Sequence, residues 1–228
     1  THVLSDMANM GRARMIGVAL RRSLARIEKH DATLLDRFDE GLLRRYRKQS
    51  DSQVFGDVRT TDQRRVALQQ AAEDLRVVIE DLSDVEPVCK WKSYQQLKLI
   101  FSQQCELREE FIEVRKATGG NVIQNVSDPD ATYCGNKGPG YQVQISETFN
   151  EEGQPNLITA AKVETAVQND GEAVADILAD LKQREQLPEE LQADAGYGSH
   201  TNIELAEAEG VSLLAPVPGG KKYVPEEV

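Results

Sequence analysis

The apolar residues of this chain change their pattern at Gly120. Up to Gly119-Gly120 they recur every three or four residues, and beyond Gly120 the first clear pattern, from Tyr141 to Ile145, alternates every second residue before helical spacing returns. A chain patterned this way is neither a pure bundle nor a β-sandwich. Its helices precede a layer in which strands and helices alternate, which predicts a mixed α/β protein with a helical first half.

In the first half, Ile16, Leu20, Leu24 and Ile27 place one apolar face on a helix from Met15 to Glu28, with Arg21, Arg22 and Arg26 on its other faces. A second helix is expected from Asp31, a capping residue, through Leu35, Phe38, Leu42 and Tyr46 to the basic string Arg44-Arg45-Tyr46-Arg47-Lys48. The polar stretch from Gln49 to Thr60 reads as a connection. Thr60-Thr61-Asp62 offers caps for a third helix carrying Leu68, Ala71, Leu75, Val78 and Leu82, up to a break from Ser83 to Pro87. A fourth is expected from Ser93 to about Lys116, with Leu97, Phe101, Leu107, Phe111 and Val114, stopping at Thr118-Gly119-Gly120. These stripes read as helix-packing seams, and the arginines as a solvated face.

In the second half, Tyr141-Gln142-Val143-Gln144-Ile145 and Leu157 to Val163 predict a strand hairpin. A helix from Gly171 to Glu185, a short strand at Leu191-Gln192-Ala193, a helix from Asn202 to Glu209 and a last strand from Val211 to Pro216 follow.

The 228 residues, 39% of them hydrophobic, suffice for one sizeable core or a core with an appended lobe. No run approaches the roughly 18 apolar residues of a bilayer span, and Thr1-His2-Val3-Leu4-Ser5-Asp6 has no signal-peptide pattern, so a cytosolic protein is expected. Cys89, Cys105 and Cys134 are odd in number and lack Cys-x-x-Cys spacing, which suggests neither a disulfide framework nor a structural zinc. Three histidines are too few for a His-built metal site. The net charge of −11 argues against nucleic acid until its distribution is considered. Residues 1–50 carry 11 basic and 6 acidic side chains, whereas residues 145–228 carry 5 and 17. A basic end and an acidic end suit a polyanion at one place and a divalent cation at another, though solvated surfaces explain the same numbers.

Two spots can carry chemistry. Ala193-Asp194-Ala195-Gly196-Tyr197-Gly198-Ser199 places an aspartate at the carboxyl end of a predicted strand, where open α/β sheets hold ligands; the same residues also suit an Asx turn. Ser127-Asp128-Pro129-Asp130-Ala131, followed by Lys137-Gly138-Pro139-Gly140, offers two carboxylates for a hard cation and a lysine for a phosphate, and equally suits a Pro- and Gly-rich loop.

In this combination and order, Ser127 to Ala131, the strand Tyr141 to Ile145, and Ala193 to Ser199 followed by Asn202 resemble the DDE transposases of bacterial insertion sequences. The match covers about residues 125 to 217, and the helical first half is similar to an insertion that some members carry inside the catalytic domain. The resemblance implies an RNase-H-like mixed sheet with a mainly helical insertion lobe: residues 1–120 the lobe, with Thr1 to Leu4 ending the first sheet strand, and residues 121–228 an incomplete catalytic core. It implies DNA transposition by metal-dependent cleavage and strand joining, with three acidic residues holding two Mg²⁺ or Mn²⁺ ions. Asp194 matches the second of these, a catalytic metal ligand. The first belongs to an Asp-x-Thr motif whose last letter matches Thr1, so its Asp is expected two positions upstream; the third, a helical Glu, is expected beyond Val228, and Glu226 and Glu227 are not assigned that role.

One aspartate cannot hold two metals, so the segment alone is expected to lack strand transfer. Asp128 and Asp130 are then loop residues near the site, and DNA contact falls to Arg44, Arg45, Arg47 and Lys48, helped by Lys137. The implied partners are double-stranded DNA and further copies of the chain on it, in a bacterial cytoplasm and on the nucleoid when bound. Two other readings remain: a truncated remnant whose helical lobe acts only as an interaction or DNA-binding module, and a Mg²⁺-dependent phosphatase or nuclease. The latter lacks a second ligand cluster, His200 being as well explained as a surface loop residue.

Overall fold

The computed structural model describes residues 2–4, 11–47, 49–109, 111–136, 138–149 and 153–216. Two compact units divide the chain, one from Leu4 to Pro139 and one formed by Thr1–Val3 with Gly140–Val228. The first strand, β1 (His2–Leu4), lies beside a strand of the second unit.

The helical unit is built on α1 (Arg12–His30), α2 (Glu40–Tyr46), α3 (Thr61–Asp81), α4 (Glu86–Cys89) and α5 (Lys92–Gln104). The stripe Ile16, Leu20, Leu24 and Ile27 is buried together with Leu75, Val78, Leu97 and Ile100, as its spacing predicts. Each such side chain contributes roughly 1.5 to 3 kcal/mol. A full capping box starts α3, with the Thr60 hydroxyl accepting from Gln63 N–H and the Gln63 amide oxygen accepting from Thr60 N–H. At the centre Asp74, only 4% exposed, accepts from Arg45 Nη2 at 2.6 Å, Arg45 Nε at 2.8 Å and the Tyr46 hydroxyl at 2.7 Å. Burial first, and then the Asp74 carboxylate, push the Tyr46 hydroxyl far above its ordinary pKa.

Two helices differ from expectation. The second is broken: a 3₁₀ helix over Ala32–Arg37, capped by Asp31, gives way to extended backbone at Phe38 and Asp39, and Asp39 then caps α2 by accepting from Leu42 N–H. An apolar period continues across such a break, whereas the two aspartates each end one segment and start another. The fourth helix ends at Gln104, and β2 (Cys105–Leu107) pairs antiparallel with β3 (Ile112–Val114), Cys105 facing Val114 and Leu107 facing Ile112. Leu107, Phe111 and Val114 fit a helical period, but Cys105/Leu107 and Ile112/Val114 fit a strand period as well. Long-range contact decides the matter: Cys105 and Ile112 are buried against Ala72, and Gln69 Nε2 donates to the Ile112 carbonyl at 3.1 Å. The strand β4 (Thr132–Cys134) follows. The helical unit extends beyond Gly120 because Ile123 and Val126 enter its core.

In the α/β unit, β5 (Gly138–Glu147) pairs with β1 and, antiparallel, with β6 (Ile158–Thr165), Val143 opposite Val163 and Ile145 opposite Ala161. The helix α6 (Ala173–Gln183), β7 (Glu190–Gln192), α7 (His200–Ala208) and β8 (Ser212–Leu214) follow. Strands β7 and β8 run parallel, with α7 as the connection, and form a two-stranded sheet of their own. The chain is therefore a mixed α/β protein with small sheets. Alternation in the β5–β6 hairpin has an unusual polarity: Gln142, Gln144 and Glu164 are buried, whereas Ile145 and Val163 are 49% and 67% exposed.

Candidate functional site

Asp194 stands just past the carboxyl end of β7, where the Ala193 N–H still donates to the Leu214 carbonyl at 2.9 Å. Its Oδ1 accepts from Gly196 N–H at 2.8 Å and its carbonyl from Tyr197 N–H at 3.1 Å, so an Asx turn is present. The carboxylate is exposed, and its second oxygen meets no other donor among the described residues.

Each following residue has a local task. A Cβ on Gly198 would lie 2.7 Å from the Pro216 carbonyl oxygen and 3.0 Å from Ala215 Cβ, so the segment after β8 approaches too closely for any side chain. Ser199 caps α7 by accepting from Asn202 N–H at 3.2 Å. The Asn202 amide donates at 2.9 Å both to the Tyr197 carbonyl and to the Gly171 carbonyl, tying the Asp194 loop to the turn that precedes α6.

Tyr197 joins that loop to the buried polar face of the hairpin. Its hydroxyl donates to Gln144 Oε1, and Gln144 Nε2 donates to Glu164 Oε2 at 3.3 Å and to Asp170 Oδ1 at 3.1 Å. Gln142 Nε2 reaches the same Glu164 oxygen at 3.2 Å. Lys162 bridges Glu164, at 2.7 Å, and Asp176; burial depresses its pKa, but hydrogen bonds to those carboxylates outweigh burial and raise it. Asp170 and Asp194 flank Gly196, whose Cβ would stand 3.1 Å from Asp194 Oδ1 and 3.8 Å from Asp170 Oδ2. Burial, followed by the charges of Asp170, Asp194 and Glu164, pushes the Tyr197 hydroxyl up to about 12, so it remains a neutral donor at physiological pH. A cleft of about 760 Å³ opens beside these groups, with Gln144, Ser146, Thr159, Ile177, Asp194 and Tyr197 among its walls.

Among the described residues no three His, Cys, Asp or Glu side chains converge as metal ligands. Asp194 with Asp170 alongside does not constitute a two-metal centre. Glu164, Asp170 and Tyr197 escaped sequence reasoning. The signal available was parity, since Gln142, Gln144 and Glu164 fall on one face of paired strands.

Asp128 and Asp130 belong to the helical unit and Asp194 to the α/β unit. Asp128 N–H donates to the Asn125 carbonyl and Asn125 Oδ1 accepts from Ser127 N–H, so this stretch is a hydrogen-bonded turn. Of the basic candidates, Arg45 is engaged by Asp74 and Arg47 by Glu28 at 2.6 Å, while Arg44, 81% exposed, stands 3.8 Å from Glu40. Lys48 and Lys137 lie outside the described residues. No helix among the described residues is long and apolar enough to cross a membrane. Compared with known protein families, curated proteins and solved structures, the chain matches none of them.

Proposed function

We propose that this chain is a segment of an RNase-H-like catalytic domain of a DDE transposase, in which Asp194 is one of the carboxylates that hold Mg²⁺ or Mn²⁺ for DNA cleavage and strand joining. One observation carries the reading: an antiparallel hairpin, a helix, a strand with an exposed aspartate just past its carboxyl end, a helix and a parallel strand follow one another in that order. An aspartate so placed projects from the carboxyl end of a strand with one oxygen used by its own turn and the other open to a cation. In this proposal double-stranded DNA is the substrate, copies of the chain assemble on it, and further carboxylates complete the metal centre.

The test is to express the coding segment with its flanking frame and measure Mg²⁺-dependent nicking of DNA bearing the element's ends. Loss of nicking in Asp194→Ala with an unchanged circular dichroism spectrum supports the assignment. Undiminished nicking in that variant removes Asp194 from the centre.

A second reading, a helical interaction module without catalysis, draws on the helical unit itself. Arg45 and Arg47 are committed to internal carboxylates, and Leu107 and Phe111 are 57% and 61% exposed at the β2–β3 hairpin. Self-association that survives Asp194→Ala but is lost on Phe111→Ser favours it.

A further inference from the structure

We infer that the cleft beside Arg12 in the helical unit is a binding site for a phosphate group. This site is independent of the transposase reading. The cleft has a volume of about 220 Å³, and Arg12, Thr118, Gly119, Gln124 and Tyr133 are among its walls.

Arg12 differs from five other arginines of the unit in what it meets. Arg21 and Arg22 pair with Asp51, Arg37 with Asp84, Arg45 with Asp74 and Arg47 with Glu28. Arg12 instead donates only to neutral acceptors: Nε to Gln104 Oε1 at 2.6 Å, Nη1 to the Arg115 carbonyl at 2.9 Å and Nη2 to the Gln104 carbonyl at 3.4 Å. No carboxylate pairs with it among the described residues, and half-burial lowers its pKa. The nearby Cys105 thiol is no counter-ion, because burial pushes it up to about 11 and keeps it protonated. A guanidinium withdrawn from water without an anion is costly unless a ligand supplies the charge.

The surroundings suit a tetrahedral oxyanion. The planar fork of Arg12 retains N–H groups beyond those three bonds, and arginine matches phosphate oxygens in pairs. Thr118 and Tyr133 line the cleft, and their hydroxyls hydrogen-bond to no protein group among the described residues. Arg115 and Lys116 are exposed and pair with no carboxylate among the described residues, and Arg115, whose carbonyl accepts from Arg12 Nη1, adds positive potential near Arg12. Gly119 lines the cleft, and nothing lies within 4 Å of where its Cβ would be. A guanidinium together with hydroxyl-bearing residues in one cleft wall suits the several oxygens of a phosphate.

The experiment is an NMR titration of the whole ¹⁵N-labelled chain with inorganic phosphate at constant ionic strength. The Arg12 Nε–H and Gly119 amide signals are expected to shift together and saturate. Gly119→Leu, which places a bulky side chain at a wall of the cleft, is expected to raise the Kd about tenfold or more. Arg12→Gln should abolish the shifts; should it also unfold the helices, the Gly119→Leu result still decides. Competition with a short DNA duplex identifies the source of the group. Displacement of phosphate from these same signals assigns the site to a nucleic-acid phosphodiester, and failure to displace assigns it to free phosphate or a phosphomonoester. Absence of saturable shifts at Arg12 and Gly119, or an unchanged Kd in Gly119→Leu, overturns the proposal.

Discussion

At the scale of single residues, the Asp194 loop combines chemistry with tight packing. Gly198→Ala forces a methyl group to within 2.7 Å of the Pro216 carbonyl oxygen and should destabilise the α/β unit by about 1 to 3 kcal/mol, measurable by urea unfolding. Tyr197→Phe leaves the buried Gln144 oxygen without its hydroxyl donor and should cost about 1 to 3 kcal/mol in the same assay, with the Asp194 turn intact. The carboxylates oppose ionisation of Tyr197, so Asp170→Asn should move its titration downward from about 12, followed through labelled tyrosine carbon shifts. Arg45, proposed from sequence as a DNA contact, is a buttress: Asp74→Ala strands its guanidinium and the Tyr46 hydroxyl. The expected loss is about 2 kcal/mol, below the figure for a fully buried pair because Arg45 is one-third exposed and partly screened.

At the scale of elements, most segments were legible because each carries a repeating signal and a terminator. The capping box at Thr60, the stripe of α1, the hairpin and the β7–α7–β8 order all follow from periodicity and caps. Among the segments that were not legible, besides the short α4 and β4, two show the reason. Leu107, Phe111 and Val114 satisfy both a helical and a strand period, and only the contact with Ala72 selects the strand. The break at Phe38-Asp39 is hidden because its apolar period is unbroken. The loop after α2 shows another long-range effect: Asp51 accepts from Arg21 Nε and Arg22 Nη2, each at 2.6 Å, pinning that loop to α1. Burial raises the pKa of Asp51, but the hydrogen bonds from Arg22 and Arg21 outweigh burial and lower it below 3.8. A carboxylate so depressed stabilises the fold above its unfolded pKa, and this contribution is lost as pH falls from about 3.8 through the lower folded value. Asp51→Asn should therefore flatten the acid limb of the stability–pH curve, measured by thermal melts between pH 6 and pH 2.

At the scale of the whole molecule, each unit has its own core, one around Ile16, Leu20, Leu75 and Ile100, the other around Val174, Leu178, Val211 and Leu213. Leu75→Ala should cost about 2 to 5 kcal/mol and raise hydrogen exchange across α1, α3 and α5, while α6 to β8 keep their protection; mass spectrometry of exchanged peptides reads both. The sequence alone determined the helical first half, the mixed α/β second half and the placement of Asp194 at a strand end, because hydrophobic period, caps and turn residues act over a few neighbouring positions. Only the tertiary structure decided which face of the hairpin is buried, that Arg45 and Arg47 are committed to Asp74 and Glu28, and that Tyr197, Gln144, Glu164 and Asp170 form one network around the Asp194 loop. Alternation fixes that two faces exist but not which one is covered, and a charged side chain chooses its partner by spatial proximity across residues far apart in the chain.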